Sequence, residues 1–233
     1  MRQDVNTLAN CMQRLGVAAK WVPRPSTRKG PRTNGRIIRS SVVTFRPRAE
    51  DTRSPTETTI ELTTTRCVLR PISPGDADPL HELWTSPGVR RFLWDDEVIP
   101  MARTVGAVEQ SQRLFREHGF GLWGMWRQDP PTLSGFCGLW PFRDPPEMEL
   151  VYGVAEPLWG SGYAAEVARA VIAFCFTSLD MPAVKASTDW ANTSSIRVME
   201  KLGFRFVRRS TSDGLDTVFY ELPRAESPDL LTS

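Results

Sequence analysis

Histidine is almost missing from this 233-residue chain, which holds two, and its four cysteines (Cys11, Cys67, Cys137, Cys175) lie far apart with no Cys-x-x-Cys pair. A zinc site needs clustered thiolates or imidazoles, so metal chemistry of that kind is not expected, and the thiols read as free in a reducing cytosol. Long hydrophobic runs are also missing. No window approaches the roughly 18 uninterrupted apolar residues of a membrane helix, so no spanning segment is expected. The N-terminus lacks a compact apolar stretch followed by a small-residue cleavage site, so no secretory signal is expected either. These absences point to a cytoplasmic protein without a metal.

What is present is the balance of a globular protein: 40% hydrophobic and 24% charged residues, enough for one sizeable core plus an extension. The net charge of +2 hides a division. Residues 1–58 carry 12 Lys and Arg against 4 Asp and Glu, leaving 17 basic and 23 acidic residues for the remainder. This first segment is rich in Arg, Pro, Ser and Thr and has little apolar periodicity, so it reads as a basic, disordered extension. Three roles compete for it: an inert tail or start-site artefact, a basic arm for nucleic acid or the ribosome, and an organelle transit peptide. The tail is preferred, because basic tails are common and no structural context favours the others.

From Glu61 onward the texture changes. The run ELTTTRCVLRPI predicts one strand, and helices are expected over Asp76–Ser86 and Ala102–His118, the second with Val105, Val108, Leu114 and Phe115 on its apolar side. Strands follow at Phe120–Arg127, Ser134–Pro141 and Glu147–Val154, the first two joined as a hairpin through QDPPTL. A helix over Gly162–Leu179, a strand over Val184–Asp189, a helix over Asn192–Leu202 and strands at Phe204–Arg209 and Asp216–Leu222 complete the chain. The order β-α-α-β-β-β-α-β-α-β-β makes one α+β domain over residues 59–224, followed by a flexible tail at 225–233.

The chemistry is concentrated in residues 147–165, EMELVYGVAEPLWGSGYAA, where a strand enters a glycine-containing turn and a helix leaves it. Gly160 and Gly162 permit close backbone approach, and free amides at a helix start suit an anion such as a pyrophosphate. A plain strand-to-helix turn explains the same pattern taken alone. About 30 residues later comes NTSSIRVMEKLGF, in which Asn192 is placed to cap the following helix and equally placed to face a ligand.

With these blocks and GFGLWGMW…SGFCGLWP, residues 60–223 resemble the GNAT acyltransferases, closest to the RimJ/RimL-type N-acetyltransferases. The resemblance implies the GNAT fold, a mixed and mostly antiparallel central sheet flanked by helices. It implies acetyl transfer from acetyl-CoA, a co-substrate, to an amine by direct attack in a ternary complex, with no metal. The acceptor is a protein N-terminus or a small molecule, and the protein is a monomer or homodimer. By position, Trp159, Gly160, Ser161, Gly162, Tyr163 and Ala164 fall on the family's pyrophosphate loop, although Trp159 replaces its usual Arg or Gln. Likeness to the family implies that Val154 meets the pantetheine arm or thioester carbonyl through its backbone, and Asn192 the pantetheine side.

An attacking amine must lose a proton, and Glu149 is the candidate general base, with Glu147 the substitute two residues away. Both also read as ordinary strand carboxylates. The departing thiolate must gain a proton. Met199 stands where much of the superfamily has a tyrosine, and a thioether donates none. The resemblance offers Ser195 instead, a residue that also reads as a first-turn serine bonding locally. Glu166 is explained by the helix dipole. Trp84, Trp94, Trp123, Trp126 and Trp140 read mostly as core, with Trp84, Phe92 and Trp94 also suggested for the acceptor groove. The acidic run Asp95–Glu97 would attract a cationic acceptor or simply be a solvated loop.

Two rivals stand beside this reading. Gly160–Ala165 also satisfies the G-x-G-x-x-[GA] dinucleotide fingerprint, which would make an NAD(P)-dependent oxidoreductase. Against it, Ala155–Trp159 separate the strand from the first glycine, and some 100 residues of domain precede the motif. The other rival is a non-catalytic acyl-CoA sensor, or a nucleic-acid binder using the basic arm.

Overall fold

A computed structural model describes residues 60–129, 131–142, 147–212 and 215–227. The basic extension over residues 1–58 and the tail over residues 228–233 lie outside the described residues. The 62–71 region, read from sequence as one strand, is two: β1 (Leu62–Thr63) and β2 (Cys67–Pro71), paired antiparallel. Thr64 makes the turn, its amide donating to the Cys67 carbonyl at 2.8 Å and its hydroxyl accepting from the Cys67 amide at 3.0 Å. Helix α1 (Ala77–Thr85) follows a 3-10 turn at Pro74–Asp76. A short helix that the sequence reading lacks, α2 (Pro87–Leu93), comes next, with Pro87 at its first position.

Helix α3 (Met101–His118) ends at Gly119, whose φ of 76° is the left-handed conformation of a helix stop. Its buried face differs from the expected one: Val105 is exposed, whereas Thr104 and Ser111 are buried. Ser111 earns its place by accepting the Leu122 amide at 2.8 Å. Strands β3 (Leu122–Gln128), β4 (Pro131–Phe142) and β5 (Glu147–Val154) form an antiparallel meander, including the expected hairpin. Then come α4 (Tyr163–Thr177), β6 (Ala183–Asp189), α5 (Thr193–Lys201), β7 (Arg205–Ser212) and β8 (Leu215–Pro223). The chain past the expected boundary at 224 continues through a 3-10 turn, Arg224–Glu226, to a buried Ser227.

All eight strands form one sheet in the order β1-β2-β3-β4-β5-β6-β8-β7. Every neighbouring pair is antiparallel except β5 and β6, which are parallel and joined by the α4 crossover, as a parallel pair requires. This is the mixed, mostly antiparallel α+β sheet expected from the sequence. Helix α4 is buried along most of its circumference, with Val167, Val171, Ile172, Phe174 and Phe176 at 2% exposure or less. At about 1.5–3 kcal/mol for each such side chain, this burial fixes the helix and therefore the loop that starts it. On the first half of the sheet, Trp84, Trp94, Trp123 and Trp140 are completely buried. Trp84 packs at a tilt against Trp94, with ring centroids 5.4 Å apart, and edge-on against Phe136 at 5.6 Å, so neither tryptophan reaches a groove.

Candidate active site

Strands β5 and β6 are in register at a single pair, Glu149 and Lys185. Beyond it they separate, and a cavity of about 460 Å³ opens between Leu150–Val154 on one strand and Ala186–Asp189 on the other. The start of α4, the inner face of α5 and the α2 residues Val89 and Phe92 complete its walls. Of the three aromatics suggested for an acceptor groove, Phe92 alone lines it.

The turn from β5 into α4 is built in steps. Pro157 sits in a 3-10 turn, Glu156–Leu158, that separates Val154 from the glycines. Trp159 then folds back so that its indole Nε1 donates to the Val154 carbonyl at 2.7 Å. One of that carbonyl's two lone pairs is thus taken, leaving one for a ligand. Gly88 of α2 approaches closely: a Cβ there would meet the Trp159 ring at 2.5 Å and the Glu156 side chain at 2.6 Å, and those side chains would have to shift. Gly160 and Gly162 have φ of 72° and 81°, open to glycine and costly for other residues. The first backbone bond of α4 is from the Glu166 amide to the Gly162 carbonyl. The amides of Tyr163, Ala164 and Ala165 therefore have no partner within the helix, the usual state of a helix start. Amides left free at a helix start, together with the helix dipole, suit an anion. Trp159, Gly160, Gly162, Tyr163 and Ala164 line the cavity together with Val154 and Asn192. Ser161 does not; its amide turns toward the Leu158 carbonyl at 3.4 Å and its own carbonyl accepts from Arg66 at 2.9 Å.

Arg66 was absent from the sequence-based set. From the β1–β2 turn it reaches the loop, donating through Nε to Glu166 at 2.6 Å and lying 3.8 Å over the Tyr163 ring. Glu166 is thus more than a carboxylate near a helix dipole. Burial alone would raise its pKa, but hydrogen bonds from the Thr64 side chain and Arg66 outweigh burial and hold it below the usual carboxylate value.

Asn192 caps α5, accepting the Ser195 amide on Oδ1 at 3.2 Å, and its Nδ2 donates to Thr188 at 3.1 Å. The cap fixes the first turn, and with it Ser195. The Ser195 hydroxyl lies 2.8 Å from the Tyr152 hydroxyl, which also donates to the Ser195 carbonyl at 3.2 Å. Burial pushes the Tyr152 pKa well above the ordinary tyrosine value, so the phenol stays neutral and able to donate. Met199 is 1% exposed and contributes only a thioether to the cavity wall.

Glu149 is 2% exposed and does not itself line the cavity. Ser187, which does, donates its hydroxyl to Glu149 Oε2 at 2.5 Å. Glu147 is half-exposed, away from the cavity, and paired with Lys185 at 2.9 Å. At the other end of β6, Asp189 lines the cavity with its pKa raised by burial first and by Asp95 and Asp216 after it. Within the acidic run, Asp96 pairs with Arg90 at 2.8 Å and Glu97 with Arg103 at 3.1 Å.

The dinucleotide alternative finds no counterpart here. A 3-10 turn intervenes between strand and glycines, and the strand before them is antiparallel to its β4 neighbour. No helix among the described residues is long and apolar enough to cross a membrane.

The fold has counterparts among known proteins. The chain is 25% identical over 145 residues to YoaA of Bacillus subtilis strain 168, an uncharacterized N-acetyltransferase, covering 62% of this chain and 82% of that one. An acetyltransferase from Agrobacterium tumefaciens C58 superposes with a TM-score of 0.61 at 24% identity, covering 76% of this chain and 99% of that one. RimL, a ribosomal L7/L12 α-N-protein acetyltransferase solved with coenzyme A, superposes with a TM-score of 0.60 at 16% identity, covering 70% and 97%. The family described as the acetyltransferase (GNAT) domain matches residues 66–205. The chain belongs to the GNAT acetyltransferases, enzymes that take an acetyl group from acetyl-CoA.

Proposed function

We propose that this enzyme acetylates an amine by direct attack in a ternary complex, with a protein α-amino group as the favoured acceptor, as in the RimJ/RimL-like branch. The observation that carries the reading is that one cavity between β5 and β6 is shared by the glycine loop, Ser195 and Ser187, whose hydroxyl bonds Glu149. Bound acetyl-CoA supplies an activated thioester. The free amides of Tyr163, Ala164 and Ala165 hold its pyrophosphate, Trp159 and Val154 border the arm that leads inward, and Asn192 faces that arm from the cap of α5.

Glu149 is the base. Glu147 is a poorer one: it is half-exposed and held by Lys185, whereas Glu149 accepts from Ser187, a residue that lines the cavity. Ser195 donates to the departing thiolate, with Tyr152 keeping its hydroxyl in place. Backbone amides near the end of β5 are the candidate oxyanion donors. Proton chemistry favours an α-amine. Near pH 7.4 about a quarter of α-amino groups are neutral, against about one lysine side chain in a thousand. The resemblance to RimL, whose own acceptor is a protein α-amine, supports the same class. Thiol release from acetyl-CoA with Ala- and Ser-initiated peptides tests the reading. Glu149→Gln and Ser195→Ala should each slow turnover by on the order of 10²–10⁴, and unchanged rates would remove them from these roles.

A further inference from the structure

The Glu149 carboxylate is buried at 2% exposure behind the cavity wall, so an amine in the cavity has no direct path to it. The residue standing between them is Ser187. The β5–β6 ladder stops at Glu149 and Lys185, and Ser187 is the next β6 residue on the same side of that strand. Its hydroxyl bridges back across the opening gap to Glu149 Oε2 at 2.5 Å, while the residue itself lines the cavity. A hydroxyl can donate with its hydrogen and accept with its lone pairs at once. It is therefore able to take a proton on one side and release another on the far side.

We infer that Ser187 is a catalytic proton relay between the acceptor amine and Glu149. The inference rests on the acetyl-transfer reading above. As the nitrogen attacks, its N–H bond breaks and an O–H bond forms on Ser187 Oγ. The original Ser187 O–H bond breaks in the same step, and its proton forms an O–H bond on Glu149 Oε2. The nitrogen has lost one proton, Glu149 has gained one, and Ser187 is unchanged. Return of that proton through Ser187 to water resets the site after the product leaves. The C–S bond breaks as the carbonyl re-forms, and the departing thiolate takes its proton separately from Ser195 Oγ, which regains one from water.

A purely structural bond that satisfies a buried carboxylate would look the same in the resting enzyme, so the test must separate the two. Thr and Val have nearly the same shape and differ in the hydroxyl. Turnover is followed by thiol release from acetyl-CoA with an Ala-initiated peptide, a Ser-initiated peptide and lysine amide. Acetyl-CoA affinity is followed by titration. A relay requires Ser187→Ala and Ser187→Val to lose on the order of 10²-fold in kcat with acetyl-CoA affinity retained, and Ser187→Thr to recover most of the rate. In a Glu149→Gln background, Ser187→Ala should change kcat less than about twofold, because both act on one proton path. Wild-type kcat in Ser187→Ala, equal rates for the Thr and Val variants, or losses that multiply with Glu149→Gln would each overturn the relay. Failure of the wild-type enzyme to release thiol with all three amines would overturn the acetyl-transfer reading and the relay with it. An active wild type beside an unimpaired Ser187→Ala sinks the relay alone.

Discussion

Arg66 and Glu166 lie one hundred positions apart in sequence, yet the Arg66 amide and guanidinium grip both oxygens of the Glu166 carboxylate, at 3.0 Å and 2.6 Å. The same guanidinium holds the Ser161 carbonyl and covers the Tyr163 ring. The β1–β2 turn is thereby tied to the loop that opens α4. Arg66→Ala should loosen the loop more than the chemistry. The pair is partly exposed, so its worth is about 1 kcal/mol, or roughly fivefold in KM for acetyl-CoA, with kcat little changed. Steady-state kinetics with varied acetyl-CoA check the split.

The same pair sets an acid limit. Because the folded-state pKa of Glu166 is lowered, its contribution is complete above the ordinary glutamate value and is lost as pH falls through the lower folded value. Wild type should therefore melt above Glu166→Gln at pH 7, and the gap should close below about pH 4. Thermal melts of both proteins from pH 7 to 3 measure this directly.

Tyr152 has no counterpart in the sequence-based site, but it bonds both the hydroxyl and the carbonyl of Ser195. Tyr152→Phe should lower kcat about tenfold, less than Ser195→Ala, since the serine remains but is held less firmly. Acetyl-CoA affinity should hold in both. A Tyr152→Phe enzyme as active as wild type would show that the bond serves packing only.

Asp189 presents the opposite sign from Glu166. Its pKa is raised, so the folded state carries a penalty for the charged carboxylate above that value, relieved as pH falls through it. Asp189→Asn should melt higher than wild type at pH 7.5, with the advantage fading toward about pH 4. If the carboxylate faces a cationic acceptor, the variant's KM for that amine should rise several-fold while KM for acetyl-CoA stays put. A stabilised variant with unaltered acceptor kinetics would remove Asp189 from the acceptor path.

What the sequence made legible was local. β5, α4 and α5 emerged with nearly their final limits, since each carries its own periodicity and glycine punctuation. The β1–β2 hairpin did not, because alternation runs on through Thr64–Arg66 and the turn depends on one threonine hydroxyl. Helix α2 is seven residues long, too short to display a period. The three contacts that organise the cavity, Arg66 to Glu166, Ser187 to Glu149 and Tyr152 to Ser195, span 100, 38 and 43 positions. No spacing rule sees such pairs; only the folding of β5 beside β6 and α5 brings the last two together.

The most direct test is a titration of acetyl-CoA into the full-length protein, with NADH in parallel and Gly162→Ala as control. Single-site binding in the micromolar to sub-millimolar range is expected. It should be weakened several-fold or more by the strained alanine, with no heat from NADH. Silence with acetyl-CoA, or NADH binding of similar strength, would contradict the assignment of the 159–164 loop as a coenzyme A cradle.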